Sequence, residues 1–185
     1  MNIFWLDDDL EKCAQYHCDK HVVKMIIEYT QLLSSCSRQM GVSQGYKLSH
    51  KNHPDTLWLL ECGENWHALQ SLTFWLHEEY KLRYGRTHKS FLICEKLINP
   101  HGGSYSSDTL NITTPPMCMP EQYKGEDLII SYRNYYIGEK ARFASWKQRG
   151  VPAWFNWDNE LIDNNPRTDN TERNLKNKYI WRFKN

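Results

Sequence analysis

His17-Cys18-Asp19-Lys20-His21-Val22-Val23-Lys24-Met25-Ile26-Ile27-Glu28-Tyr29-Thr30-Gln31-Leu32-Leu33 is the stretch that decides the fold. At about 100° per residue, His17, His21, Lys24, Glu28 and Gln31 fall within about 80° of one another. The remaining faces carry Val22, Val23, Met25, Ile26, Ile27, Leu32 and Leu33. A helix that is apolar nearly all round is buried on most sides, and its narrow polar stripe faces solvent, a polar partner or a cleft. Working outward, this helix is expected from about Leu10 to Cys36. Asp7, Asp8 and Asp9 supply its N-cap and a negative first turn, and Gly41 and Gly45 mark its end. Before it, Asn2 to Leu6 form a short apolar lead-in.

The rest of the chain repeats the helical pattern. Asp55 can cap a second long helix over about 56–84, with Trp58, Cys62, Leu69, Leu72, Leu76 and Tyr80 at helical spacing and Gly85 as its stop. A shorter helix is expected over 88–98. Residues 99–124 hold Asn99-Pro100, Gly102-Gly103, Pro115-Pro116 and Pro120, so they predict a long structured loop and a candidate lid. A fourth helix is expected over about 125–149, with Ile129, Tyr132, Tyr136, Phe143 and Trp146 to one side. From Asn156 the chain is polar, anchored only by Tyr179, Ile180, Trp181 and Phe183. No repeat or strand ladder is evident. The reading is mainly α: one compact helical bundle with long loops, residues 1–185 forming a single domain with 156–185 as a polar C-terminal extension.

Composition narrows the function. Lys+Arg is 23 against Asp+Glu 22, a net charge of +1, which argues against a polybasic nucleic-acid binder but leaves room for a local basic face. No apolar run is long enough to cross a membrane, and the acidic start of Met1–Leu10 does not read as a signal peptide. The six cysteines are scattered with no C-x-x-C pair, so they are expected as reduced cytosolic thiols packed as small hydrophobes. Aromatic residues make up 14% of the chain, enough to furnish rigid surfaces for packing or stacking.

Two readings of the polar stripe compete. It is either a solvent face or the wall of a site. Two imidazoles, an ammonium and a carboxylate can exchange protons near neutral pH, whereas an ordinary solvent face is richer in Glu, Lys, Gln and Ser. His17-x-x-x-His21 also has metal-ligand spacing, with a third ligand to come from His50, His53, His88 or His101. That spacing alone is a weak signal, and no metal or cofactor is expected. His50-Lys51-Asn52-His53-Pro54 precedes the second helix, where His53 or Asn52 can meet an anion at a helix N-terminus. Tyr80, Arg83, Arg86, His88 and Lys89 interleave aromatics with cations, as phosphate contact and base stacking require, or they are a basic helix end favoured by the dipole. Glu139 lies on the aromatic face of the fourth helix and needs a partner there.

Three ordered segments carry a family resemblance. Cys18-Asp19-Lys20-His21 followed by Glu28 is similar to a helix with a His and, seven residues on, a catalytic Glu. Tyr80-Lys81-Leu82-Arg83-Tyr84-Gly85 is similar to a helix ending in an Arg-Gly turn. Pro120-Glu121-Gln122-Tyr123-Lys124-Gly125, then Gln148-Arg149-Gly150-Val151-Pro152-Ala153-Trp154-Phe155, is similar to a Pro-x-x-Phe-x-Gly stretch and a closing Arg-Pro-x-Trp-Tyr motif. The pattern resembles the pyrimidine-dimer DNA glycosylases of the endonuclease V type, and more closely uncharacterised proteins of tailed phages.

The resemblance implies an all-α monomer in the (host) cytoplasm that flips a pyrimidine out of double-stranded DNA. It implies N-glycosidic cleavage with an AP-lyase step, through an imine between the N-terminal α-amine and sugar C1′. An α-amine titrates nearer neutrality than a lysine, so more of it is a free nucleophile. Carried over, Glu28 is the catalytic carboxylate and His21 matches the family histidine. His17 and Lys24 line the same cleft, and Arg133, Lys140 and Arg142 contact phosphate. This chain has about five extra residues before the helix. Its amine, supplied by Met1 because the bulky Asn2 favours retention of the initiator, meets Glu28 only if Asn2–Leu6 folds back. Lys24 is the substitute amine if buried enough to lose its proton. The alternatives are a phage enzyme of modified-pyrimidine nucleotide metabolism, by transfer or hydrolysis, and a non-catalytic module that binds nucleic acid or a host protein.

Overall fold

The computed structural model describes residues 1–102, 111–158 and 160–162, with the backbone of 182–184. The fold is mainly α, as the sequence predicts. Six helices follow in order: α1 (Leu10–Tyr16), α2 (Asp19–Gln39), α3 (Pro54–Glu61), α4 (Gly63–Tyr84), α5 (Phe91–Cys94) and α6 (Leu128–Lys140). Two three-residue strands, β1 (Asn111–Thr113) and β2 (Arg182–Lys184), pair in parallel. Gly103, the anchors Tyr179 to Trp181 and most of the polar extension lie outside the described residues, as does 103–110 of the candidate lid.

Both long helices expected from the sequence are broken in two. The first stops at Tyr16, where His17 and Cys18 adopt extended backbone, and restarts at Asp19. A helix end leaves carbonyls without partners. Here Arg83 donates to the carbonyls of Gln15 and His17 at 2.9 and 2.8 Å, and Trp146 Nε1 donates to that of Tyr16 at 2.9 Å. Across the break, Asp19 accepts from Arg83, from the Ser145 hydroxyl and from the Lys147 amide. The second expected helix breaks at Cys62, whose extended backbone separates α3 from α4. Gly85 ends α4 as expected, in the left-handed conformation (φ +66°) that glycine adopts without strain. The third expected helix shrinks to α5. The fourth runs only to Lys140, and a 3-10 turn over Ala141–Phe143 replaces its last part.

Capping follows the sequence at α1, where Asp9 accepts from the Glu11 and Lys12 amides. It departs at α3. Asp55 is not the cap but a buried first-turn residue, and His53 takes the cap position by accepting the Asp55 amide on Nδ1.

α2 is the central helix. It packs on α4, with α3 and α5 beside it, while α1 also lies on α4. Val22, Met25, Ile26, Leu32 and Leu33 meet Leu69, Leu72, Leu76 and Trp66 in one core. Burying each such aliphatic side chain contributes roughly 1.5–3 kcal/mol.

The lead-in completes that core. Ile3, Phe4, Trp5 and Leu6 are all buried. The segment is not in a sheet, so its backbone groups need side-chain partners. Phe4 N–H donates to the Tyr29 hydroxyl at 2.9 Å, Leu6 N–H to Cys13 Sγ at 3.3 Å, and Arg133 Nε to the Leu6 carbonyl at 2.8 Å. Phe4 also lies against Tyr132, Tyr135 and Tyr136 of α6. The lead-in is therefore clamped between α2 and α6.

Candidate active site around Met1 and Glu28

The buried lead-in carries the chain terminus back along α2. Residues 2–6 fold toward the Glu28 end of that helix, the arrangement the resemblance requires. The Met1 backbone hydrogen-bonds with the His53 ring, and the charges of both the terminal amine and Glu28 act on His53 and on Asp55. Met1, Glu28, His53 and Asp55 thus share one neighbourhood. Glu28 is only 14% exposed at its side chain and pairs with Lys24 Nζ at 3.0 Å.

Lys24 is the exposed member of that pair, 65% exposed. The burial that would strip its proton is not met, so it does not fit the substitute-amine role. Its place one helical turn from Glu28 suits it to orient the carboxylate.

His17 and His21 do not line a solvent cleft. The break at His17–Cys18 removes His17 from α2, so the helical i, i+4 geometry is lost, and both rings are buried. His17 Nδ1 bonds the Cys13 carbonyl at 2.7 Å, and its Nε2 lies 3.4 Å from the Tyr29 hydroxyl. His21 Nδ1 shares a hydrogen bond with the Tyr136 hydroxyl, and its ring packs on Phe4 and Phe143. Burial pushes His17 down to about 4. Burial, aided by His17, Lys140 and Lys24, pushes His21 down to about 2. Both imidazoles are neutral at pH 7. Three of their four ring nitrogens are engaged by the protein, so the pair is a polar spine that pins the lead-in rather than a metal site.

The expected phosphate contacts divide sharply. Arg83 is buried and bridges Asp19 at 3.2 Å and Glu79 at 2.9 Å, so it is internal. Tyr80 is buried and accepts from Arg86 Nε at 2.9 Å. His88 is buried, with Nδ1 accepting the Ser90 amide. Of that cluster only Arg86 and Lys89 stay exposed. Arg133 is held by Leu6 and Asp7 and lies over Tyr16 and Trp154.

Lys140 and Arg142 fit the expectation better. Lys140 Nζ lies 4.2 Å over the Tyr135 ring, and Arg142 and Lys20 flank Phe143 at 5.7 and 4.9 Å. These cations and rings lie around α2 and the end of α6. With the exposed Lys20 of α2, they join cations to aromatic rings beside His21 and Phe4. The costly Glu139 carboxylate is satisfied by the Tyr123 hydroxyl at 3.1 Å.

Sequence reasoning missed Asp19, Asp55 and Cys118. Asp19 joins three distant segments, which no local pattern announces. Asp55 was visible as a helix-start aspartate, but its burial was not. Burial pushes its carboxyl up to about 7, against hydrogen bonds from Cys118 and the Ile3 backbone that lower it. All six thiols are free and four are buried, as expected.

The fold is mainly α, and its terminal amine and the Glu28 carboxylate of the central helix both act on His53 and Asp55. The family model of pyrimidine dimer DNA glycosylase matches residues 1–92, so the N-terminal half of the chain resembles that family. The match spans the lead-in, α1 to α4 and the start of α5. It supports, at the level of the family, a function like that of a pyrimidine dimer DNA glycosylase, with DNA as substrate. No curated protein and no solved structure matches the chain. Among the described residues no helix is long and apolar enough to cross a membrane.

Proposed function

We propose that the protein removes a damaged or modified pyrimidine from DNA through an imine formed by the Met1 amine, with Glu28 as the catalytic carboxylate. The observation that carries this reading is the buried lead-in, which brings the terminus and Glu28 to the same His53–Asp55 neighbourhood.

The amine lone pair attacks sugar C1′ as the C1′–N bond to the base breaks, and the base leaves with a proton. The amine nitrogen then forms a C=N bond as the C1′–O4′ ring bond breaks; the proton it loses goes to O4′, and an imine to the ring-opened sugar remains. Glu28 stabilises the positive charge that develops at C1′ and the amine, and in the lyase step it accepts a C2′ proton as the C3′–O bond breaks. Lys24 pairs with Glu28 and orients it. Lys20, Lys140 and Arg142 contact backbone phosphate, while Phe143 and Tyr135 offer faces to an extruded base. Exposed cations beside the site supply the local basic face that the near-zero net charge left open. A monomer acting in the (host) cytoplasm, with no cofactor, completes the reading.

The test is strand cleavage of duplexes bearing a pyrimidine dimer, a modified pyrimidine or an abasic site, alongside pyrimidine mononucleotides. Cleavage of duplex that falls at least about 100-fold in Glu28→Gln supports the reading. Turnover of mononucleotides with none on duplex replaces it with nucleotide metabolism. DNA binding without turnover, unchanged in Glu28→Gln, replaces it with a binding module.

A further inference from the structure

Three different donor types meet beside the chain terminus. His53 caps α3, Asp55 lies in its first turn, and Cys118 comes from the loop that precedes α6. One ligand atom from each lies within 4.8 Å of the other two. Cys118 Sγ sits 3.6 Å from Asp55 Oδ1, and His53 Nδ1 sits 3.5 Å from Asp55 Oδ2; that nitrogen also accepts the Asp55 amide at 3.2 Å and the ring bonds the Met1 backbone, so an ion taking His53 exchanges one of those bonds for a metal bond. Asp55 is wholly buried, yet its Oδ2 has no hydrogen-bond partner. A buried carboxylate oxygen left in that state is costly, and such groups are normally paired or bound to a metal.

We propose that His53, Asp55 and Cys118 form a binding site for one divalent transition metal of the zinc class. An imidazole, a carboxylate and a thiolate suit Zn²⁺, whereas Mg²⁺ and Ca²⁺ take oxygen donors. Two anionic ligands balance the charge of the ion, and the orphaned Asp55 oxygen gains its partner. Binding releases the Cys118 thiol proton to solvent. The terminal amine of Met1, whose charge acts on both Asp55 and Cys118, is the donor at hand for a fourth position. An amine engaged by the ion gives up its free lone pair, so a bound metal silences imine formation reversibly. That last consequence rests on the proposed imine chemistry; the site itself does not.

The test uses the full chain, reduced and free of metal, titrated with Co²⁺ and without DNA. The site predicts one equivalent bound, a thiolate-to-cobalt charge-transfer band with tetrahedral ligand-field bands, and their loss on adding Zn²⁺. Cys118→Ala removes the charge-transfer band, Asp55→Asn weakens binding at least about tenfold, and Cys62→Ala, at the other partly exposed thiol, leaves it intact. No charge-transfer band in the folded wild-type chain, or a band that survives Cys118→Ala, overturns the proposal. Alkylation of the wild-type chain followed by peptide mapping decides the matter without variants. Zinc protection of Cys118 supports the site, and equal labelling with and without zinc contradicts it.

Discussion

The Phe4 amide donates to the Tyr29 hydroxyl at 2.9 Å, joining the lead-in to the middle of α2 across 25 residues of chain. Phe4 is buried and Tyr29 wholly so, and the same hydroxyl lies beside His17 Nε2. Tyr29→Phe removes the acceptor and leaves a buried N–H unsatisfied. The expected cost is about 1–3 kcal/mol in denaturant unfolding. Trapping at the amine should fall with it, because the lead-in loses the bond that sets its register.

Stability should fall in mild acid. His17 and His21 have folded values of about 4 and about 2, both below the ordinary imidazole value. The unfolded chain therefore binds their protons first. Their stabilising contribution is present above about pH 6.5 and is lost as the pH falls from there toward the folded values. The slope approaches about 1.4 kcal/mol per pH unit for each ring. Urea midpoints from pH 7 to pH 5 measure it, and a His21→Gln variant keeps only the part of the slope due to His17, whose shift comes first from its own burial.

Arg83 is the internal tie of the break between α1 and α2. It bridges Asp19 and Glu79 and caps the carbonyls of Gln15 and His17. Arg83→Met takes a cation from Asp19, which keeps Ser145 and Lys147, and from Glu79, which keeps Arg149 at 2.6 Å, and leaves two carbonyls without that donor; it should cost about 1–3 kcal/mol. The loss appears in thermal or denaturant unfolding. A variant whose DNA affinity drops while its stability is unchanged would return Arg83 to the phosphate-contact role.

Gly138 sits on α6 where no side chain fits. A Cβ there would lie 2.3 Å from the Tyr123 hydroxyl and 2.7 Å from its ring. That hydroxyl is the partner of Glu139. Gly138→Ala should destabilise by about 1–3 kcal/mol despite the better helix propensity of alanine. Adding Tyr123→Phe removes the closest atom and should recover part of the loss, as a double-mutant cycle would report.

Much of this was legible in the sequence, and the failures have a common cause. The apolar faces around Val22 to Leu33 announced α2 as central, and Gly85 announced the end of α4. Periodicity could not announce the break at His17–Cys18, because what holds it are Arg83, Trp146 and Asp19, distant in sequence or buried against expectation. A stripe of five polar residues looked uniform on a helical wheel. In three dimensions Phe4 covers the His21 end, while Lys24 stays exposed and Glu28 half-buried. The Met1 amine was named as the nucleophile on resemblance alone. Its path depends on the burial of Ile3 to Leu6, which an apolar lead-in permits but does not dictate.

The central claim is that the amine of Met1 reacts beside Glu28. Borohydride reduction of the protein on an abasic duplex, read by intact mass and peptide mapping, tests it most directly. The account predicts one covalent adduct, on the N-terminal peptide at Met1, that fails to form when the terminal amine is blocked. An adduct at Lys24, or none from folded protein that binds the duplex, would contradict it.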